Sequence, residues 1–173
     1  ELHGDQLRKG SGVAYLAHLL GVSAAVLEML GDEDEAIGGL LHDSAEDVGP
    51  DVLPIIDERF GSRVRVIVEH CSDSMDPANK APWDDRKKAY LERLRAAAND
   101  ADVDPGYLRV VLADKLYNAR SIWTDLVNDG NESVFDRFTG SGSDRKERRT
   151  NSRAYYSDVA RIYNNATNLP AGC

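Results

Sequence analysis

Apolar residues recur at helical spacing through this chain, and one such stretch ends in groups that an apolar helix has no reason of its own to carry. It reads Ile37-Gly-Gly-Leu-Leu-His42-Asp43-Ser-Ala-Glu46-Asp47-Val-Gly49-Pro50. An imidazole and three carboxylates fall between positions 42 and 47. Acidic side chains at an exposed helix C-terminus are unfavourable, because the macrodipole already places partial negative charge there. Three of them beside an imidazole point to a bound cation. On one continuous helix over 33–47, His42 stacks under Glu46 and Asp43 under Asp47, since residues four apart share a face. A metal on His42 and Asp43 then lies one turn from two further carboxylates, within reach of a water proton.

Two more ligands are expected on other apolar helices. His18 stands in Tyr15-Leu-Ala-His18-Leu-Leu, and Asp114 in Val110-Val-Leu-Ala-Asp114-Lys115-Leu-Tyr-Asn118-Ala-Arg120. A buried Asp is rare unless it is paired or metal-bound. Two imidazoles with two carboxylates suit Mn, Fe or Zn, and Mg less well. Four protein ligands leave room for water and a substrate oxygen.

The remaining pattern is all-α. Helices are expected over 15–30, 33–47, 50–60, 62–71, 83–98, 105–127 and 145–165, with loops at 73–82 and 139–144. No stretch alternates strictly and nothing repeats, so 1–173 reads as one domain, with a helical extension over 124–168. No apolar run approaches the ~18 residues of a membrane span, and no signal peptide opens the chain. Cys71 and Cys173 make no disulfide framework, and a cytoplasmic location is expected. A net charge of −9 argues against general DNA or RNA binding.

Basic residues nevertheless cluster. Arg8 and Lys9 precede His18, Lys115 and Arg120 flank Asp114, and Lys80, Arg86, Lys87 and Lys88 surround or follow the end of the Asp/Pro-rich loop. Arg8, Lys9 and Lys115 are tied in sequence to candidate ligands and are the ones expected to meet a phosphorylated substrate. The others read as solvated charges. Gly10-Ser11-Gly12 offers a turn whose N–H groups can approach a phosphate. His3 and His70 read as ordinary histidines, Tyr155-Tyr156 as packing residues, and Trp83 and Trp123 as core or loop anchors.

His18, His42-Asp43 and Asp114 in this order resemble the signature of the HD-domain metal-dependent phosphohydrolases. The pattern is most similar to the hydrolase domain of RelA/SpoT-type alarmone enzymes and their small single-domain relatives. The Glu46-Asp47 pair, the basic approach through Arg8-Lys9, and Leu112-Ala-Asp114-Lys115-Leu-Tyr117-Asn118-Ala-Arg120 carry that likeness from about residue 3 to residue 123. The chain departs from the family pattern at Ala14, where Pro is usual, and at Tyr117, where His is common.

The resemblance implies an HD-type helical bundle that binds one divalent metal, most readily Mn2+, through His18, His42, Asp43 and Asp114. Glu46 or Asp47 would orient the attacking water and take its proton. Arg8, Lys9 and Lys115 would neutralise phosphates, and Asn118 would bond ribose or phosphate. The implied reaction removes pyrophosphate from the 3′ position of guanosine tetra- or pentaphosphate. A related phosphohydrolase acting on other nucleotides and a non-catalytic metal- or nucleotide-binding domain are the alternatives.

Overall fold

Helix boundaries follow local chemistry wherever that chemistry is strong. In the computed structural model, which describes residues 4–10, 12–130 and 132–173, α1 spans Tyr15–Glu28 and α2 spans Glu33–Leu41. His3 and Ser11 lie outside the described residues. Asp32 opens α2 with a capping box: its carboxylate accepts from Glu35 N–H, and the Glu35 side chain returns to Asp32 N–H. The later helices are α3 (Ser44–Val48), α4 (Val52–Phe60), α5 (Ser62–Cys71), α6 (Trp83–Ala97), α7 (Gly106–Asp129) and α8 (Arg145–Asn164). Two 3-10 turns, Ser133–Arg137 and Thr139–Ser141, join α7 to α8.

The expected single helix over 33–47 is interrupted at His42-Asp43, so α2 and α3 are separate. Both residues stay near helical dihedrals, and Asp47 N–H still bonds Asp43 C=O at 2.9 Å. The bend has a local cause. Buried Ser44 donates its hydroxyl to Leu41 C=O at 2.6 Å, competing with the helical ladder for that carbonyl.

α7 is the central element, packed against α1, α2 and α5. Val22, Val26, Ile67, Leu108, Val110 and Val111 form the heart of the main core. A smaller cluster of Val52, Leu53, Ile56, Val64 and Val68 sits beneath α3, α4 and α5. Close approach needs small residues at particular places. At Gly38 a Cβ would lie 2.6 Å from Ile67 Cγ2, so the α2–α5 contact depends on its absence. At Gly21 a Cβ would enter the Tyr117 ring, which fixes how near α1 comes to α7.

Before α1, the chain folds back on itself. Leu7 and Ala14 form an isolated antiparallel bridge, with Arg8 N–H bonded to Val13 C=O at 2.9 Å and Tyr15 N–H to Gln6 C=O at 2.8 Å. Gly10, at φ +72°, makes the reversal. Arg8 and Lys9 are thereby carried on a defined turn. No helix among the described residues is long and apolar enough to cross a membrane.

Candidate metal centre and substrate cavity

Two helices and the α2–α3 bend bring the four expected ligands together. His18 comes from the first turn of α1, His42 and Asp43 from the bend, and Asp114 from the middle of α7. His18, His42 and Asp114 are buried, with ligand atoms all within 4.8 Å of one another. His18 Nε2 lies 3.3 Å from Asp114 Oδ1 and 3.6 Å from Asp43 Oδ2. His42 Nε2 lies 3.1 Å from Asp43 Oδ2 and 3.6 Å from Asp114 Oδ1.

Hydrogen bonds outside the cluster aim these groups inward. His42 Nδ1 donates to Gly39 C=O at 2.8 Å, which leaves Nε2 as the inward acceptor. That buried Nε2 has no hydrogen-bond partner among the described residues. Tyr15 donates its hydroxyl to Asp43 Oδ2. Lys115 binds Asp114 Oδ2, and Asn118 Nδ2 donates to Asp114 Oδ1 at 2.5 Å. Two imidazoles and two carboxylates converging on one point, with an orphaned buried nitrogen, fit a divalent metal of borderline character.

The electrostatics agree. Burial alone would raise the Asp114 carboxyl, but the Lys115 ammonium and the two imidazoles hold it well below its usual range. Burial would raise Asp43 too, but the charge of His42 and the His18 imidazole beside it outweigh that and depress it. Burial opposes charging His42, yet the neighbouring carboxylates Asp43 and Asp114 push it well above the ordinary imidazole value. The two carboxylates thus favour positive charge at the position where a cation would balance them. Tyr15 is driven upward by burial and by Asp43, so its hydroxyl stays a donor.

The cluster floors a cavity of about 370 Å³. Glu46 and Asp47 line it, as do Arg8, Lys9, Lys115 and Asn118, so the sequence-derived site residues other than the buried His42 face one space. Arg8 donates to Asn118 Oδ1 at 2.8 Å and lies over the Tyr117 ring at 5.4 Å. Tyr117 stacks on His18 with centroids 5.1 Å apart and donates its hydroxyl to Ala17 C=O at 3.2 Å. The aromatic ring at this departure from the family pattern thus packs directly on a candidate ligand.

Other expectations change. Arg86 and Lys87 are not simply solvated; both pair with the buried Asp73 carboxylate, at 2.6 and 2.5 Å. Lys80 reaches Glu46 Oε1 at 2.9 Å. Trp123 anchors nothing and is 68% exposed. The roof of the cavity went unread: Trp83, Arg137, Phe138, Tyr155 and Tyr156 line it from α6, the first 3-10 turn and its end, and α8. Its only sequence signal was an aromatic pair on a basic helix.

A family model described as HD domain matches residues 1–136. The chain belongs to the HD-domain family. Among its relatives is the guanosine-3′,5′-bis(diphosphate) 3′-pyrophosphohydrolase of Aquifex aeolicus, 32% identical over 123 residues that cover 71% of this chain and 16% of that protein. The human enzyme of the same name, MESH1, is 34% identical over 124 residues, covering 69% of this chain and 63% of the relative. This chain thus matches less than two thirds of the length of either protein. A solved structure titled as a metazoan ortholog of SpoT that hydrolyzes ppGpp has the same fold, with a TM-score of 0.68 at 24% identity, covering 95% of this chain and 80% of that one. In this HD-domain chain, the matched region holds all the expected ligands, whereas α8 lies beyond it.

Proposed function

We propose that this HD-domain chain is a metal-dependent phosphohydrolase whose substrate is guanosine 3′,5′-bis(diphosphate), cleaved at the 3′ position to release pyrophosphate. The observation that carries the reading is the cluster of buried His18, His42 and Asp114 with half-buried Asp43, its His42 Nε2 orphaned, at the floor of a cavity lined by cations and by Glu46 and Asp47. The relatives named as pyrophosphohydrolases support the choice of substrate. A divalent ion held by these four side chains, Mn2+ in our reading, supplies Lewis acidity toward a water and a phosphoryl oxygen.

The chain's own groups do the rest. Glu46 or Asp47 orients the attacking water and accepts its proton, within direct hydrogen-bond reach or through one further water. Arg8 and Lys9 on the N-terminal turn and Lys115 on α7 offset the charge of the phosphates. Asn118 holds Arg8 toward the cavity and offers its amide to ribose or phosphate. Tyr15 fixes the Asp43 carboxylate through its hydroxyl. The helical stretch 124–168 belongs to the same functional unit in this reading, because Tyr155 and Tyr156 from α8 close the cavity over the cluster.

The test is product analysis with Mn2+ present. Guanosine tetraphosphate should yield GDP and pyrophosphate, with little orthophosphate. Triphosphate released from deoxynucleotides, or orthophosphate from nucleoside monophosphates, with tetraphosphate untouched, would replace the substrate and leave the phosphohydrolase.

A further inference from the structure

The loop over residues 73–82 is held unevenly. Its start is fixed by Asp73, a carboxylate only 3% exposed that takes both Arg86 and Lys87. Its middle is closed by Asp76, which accepts from the N–H groups of Ala78 and Asn79, each at 3.0 Å. Its far end carries Lys80, which crosses the cavity mouth to Glu46 Oε1 at 2.9 Å. The two side chains of that pair are 30% and 26% exposed, and an ion pair of this kind contributes little to stability.

The other cavity-lining lysines of α6 and α7 differ. Lys87 balances Asp73 and Lys115 balances Asp114, carboxylates 3% and 8% exposed. Moving either lysine toward a ligand would remove a cation from a buried carboxylate, Lys115 from Asp114 and Lys87 from an Asp73 left with Arg86 alone, which is costly. Lys80 can move without that penalty, because Glu46 keeps access to water. A phosphate offers an ammonium several oxygens and more charge than one carboxylate does. Lys80 also occupies Glu46 Oε1, one of the two oxygens that this carboxylate can offer to a proton.

We propose that Lys80 is an exchangeable latch: it binds Glu46 while the cavity is empty and passes to a terminal phosphate of the substrate, releasing the Glu46 carboxylate to take the water proton. The exchange makes and breaks only ionic hydrogen bonds. It rests on the phosphohydrolase reading of the site and adds to it a residue, on a loop, that couples phosphate recognition to the proton acceptor.

Inorganic pyrophosphate is the probe, titrated into Mn-loaded protein by calorimetry, with metal content and thermal midpoint measured for each variant. Lys80→Met should keep metal and fold but weaken pyrophosphate binding about tenfold, the scale of a lost charge-assisted hydrogen bond. KM for guanosine tetraphosphate should rise by more than kcat changes, and Lys80→Arg should restore most of both. Glu46→Gln should bind pyrophosphate more tightly than the wild type, since the competing carboxylate is gone, and this gain should vanish in Lys80→Met/Glu46→Gln. Unchanged pyrophosphate affinity in Lys80→Met, or a Glu46→Gln gain that persists without Lys80, overturns the latch. Lys80-dependent pyrophosphate binding in a protein that leaves tetraphosphate intact keeps the latch and overturns the substrate assignment.

Discussion

Two charge clusters lie along α7, and they are balanced in opposite ways. Near its start, the Glu35 carboxylate, 4% exposed, is met by Arg109 from α7 and by Arg63 at 3.1 Å; Arg63 also reaches Asp32 at 2.6 Å and Asp104 at 2.7 Å. That cluster supplies its own cations. One turn and more along, the His18–His42–Asp43–Asp114 group has carboxylates converging on imidazoles, and an orphaned nitrogen. Both satisfy the rule that buried acids are paired, and each keeps a buried nitrogen without a hydrogen-bond partner among the described residues, Arg109 Nε in one and His42 Nε2 in the other, but only the first is complete in charge through its own arginines. The difference separates a clamp that ties α2 and α5 to α7 from a centre built for something that arrives from outside.

The largest effect should come from breaking the incomplete cluster. Asp43→Ala should abolish turnover and metal retention, and its thermal midpoint should no longer respond to chelator. The wild type should respond, because a ligand bound at ~1,000 times its dissociation constant adds about 4 kcal/mol to the folded state. Stoichiometric metal in Asp43→Ala would count strongly against the assignment. The complete cluster should behave in reverse. Arg109→Met leaves buried Glu35 to the part-exposed Arg63 alone and should cost about 3 kcal/mol in urea denaturation, by the same amount with and without metal. A metal-dependent loss would mean that the two clusters are coupled along α7.

Next in size is the chemistry itself. Glu46→Gln and Asp47→Asn keep shape and remove charge, so metal should stay while turnover falls ~100-fold in whichever variant has lost the proton acceptor. Unchanged turnover in both would return the pair to a solvated helix end.

Acidity gives a milder test. In chelator-treated protein the raised His42 pKa contributes stability that is full below the ordinary imidazole value and is lost as pH rises through the folded one. The depressed carboxylates work the other way, adding stability above the ordinary carboxylate range and losing it as pH falls. Metal must displace the His42 proton, so its affinity should rise about tenfold per pH unit up to the raised His42 pKa. Calorimetry in buffers of different ionisation enthalpy should count that proton; a flat affinity between about pH 6 and 8 would show the ring already neutral.

What the sequence displayed and what it hid divide along the same line. The four candidate ligands stood out because each was a polar residue on an apolar helix, and Glu46-Asp47 because acids were massed where a helix would end. The bend at His42-Asp43 was hidden because no Gly or Pro marks it; its agent is Ser44, whose preference for a backbone carbonyl is common to every serine. The Glu35–Arg109 clamp joins residues 74 apart in the chain, and each alone reads as a surface charge. The roof from α8 was hidden for a related reason. Tyr155 is buried and Tyr156 half-buried, as packing residues are, and only the course of the chain after α7 places them over the cluster.

The smallest expected effect belongs to Asn118, which touches both sides of the site at once. Its Oδ1 holds Arg8 at 2.8 Å, and its Nδ2 holds Asp114 Oδ1 at 2.5 Å. Losing the second contact is tolerable, because Lys115 still balances Asp114. Losing the first frees a guanidinium that otherwise points into the cavity. Asn118→Ala should therefore raise KM several-fold and change kcat little, the pattern of an interaction shared by ground and transition states. If kcat and metal occupancy fall together instead, Asn118 acts through the ligand Asp114. It would then belong with the incomplete cluster and not with the substrate.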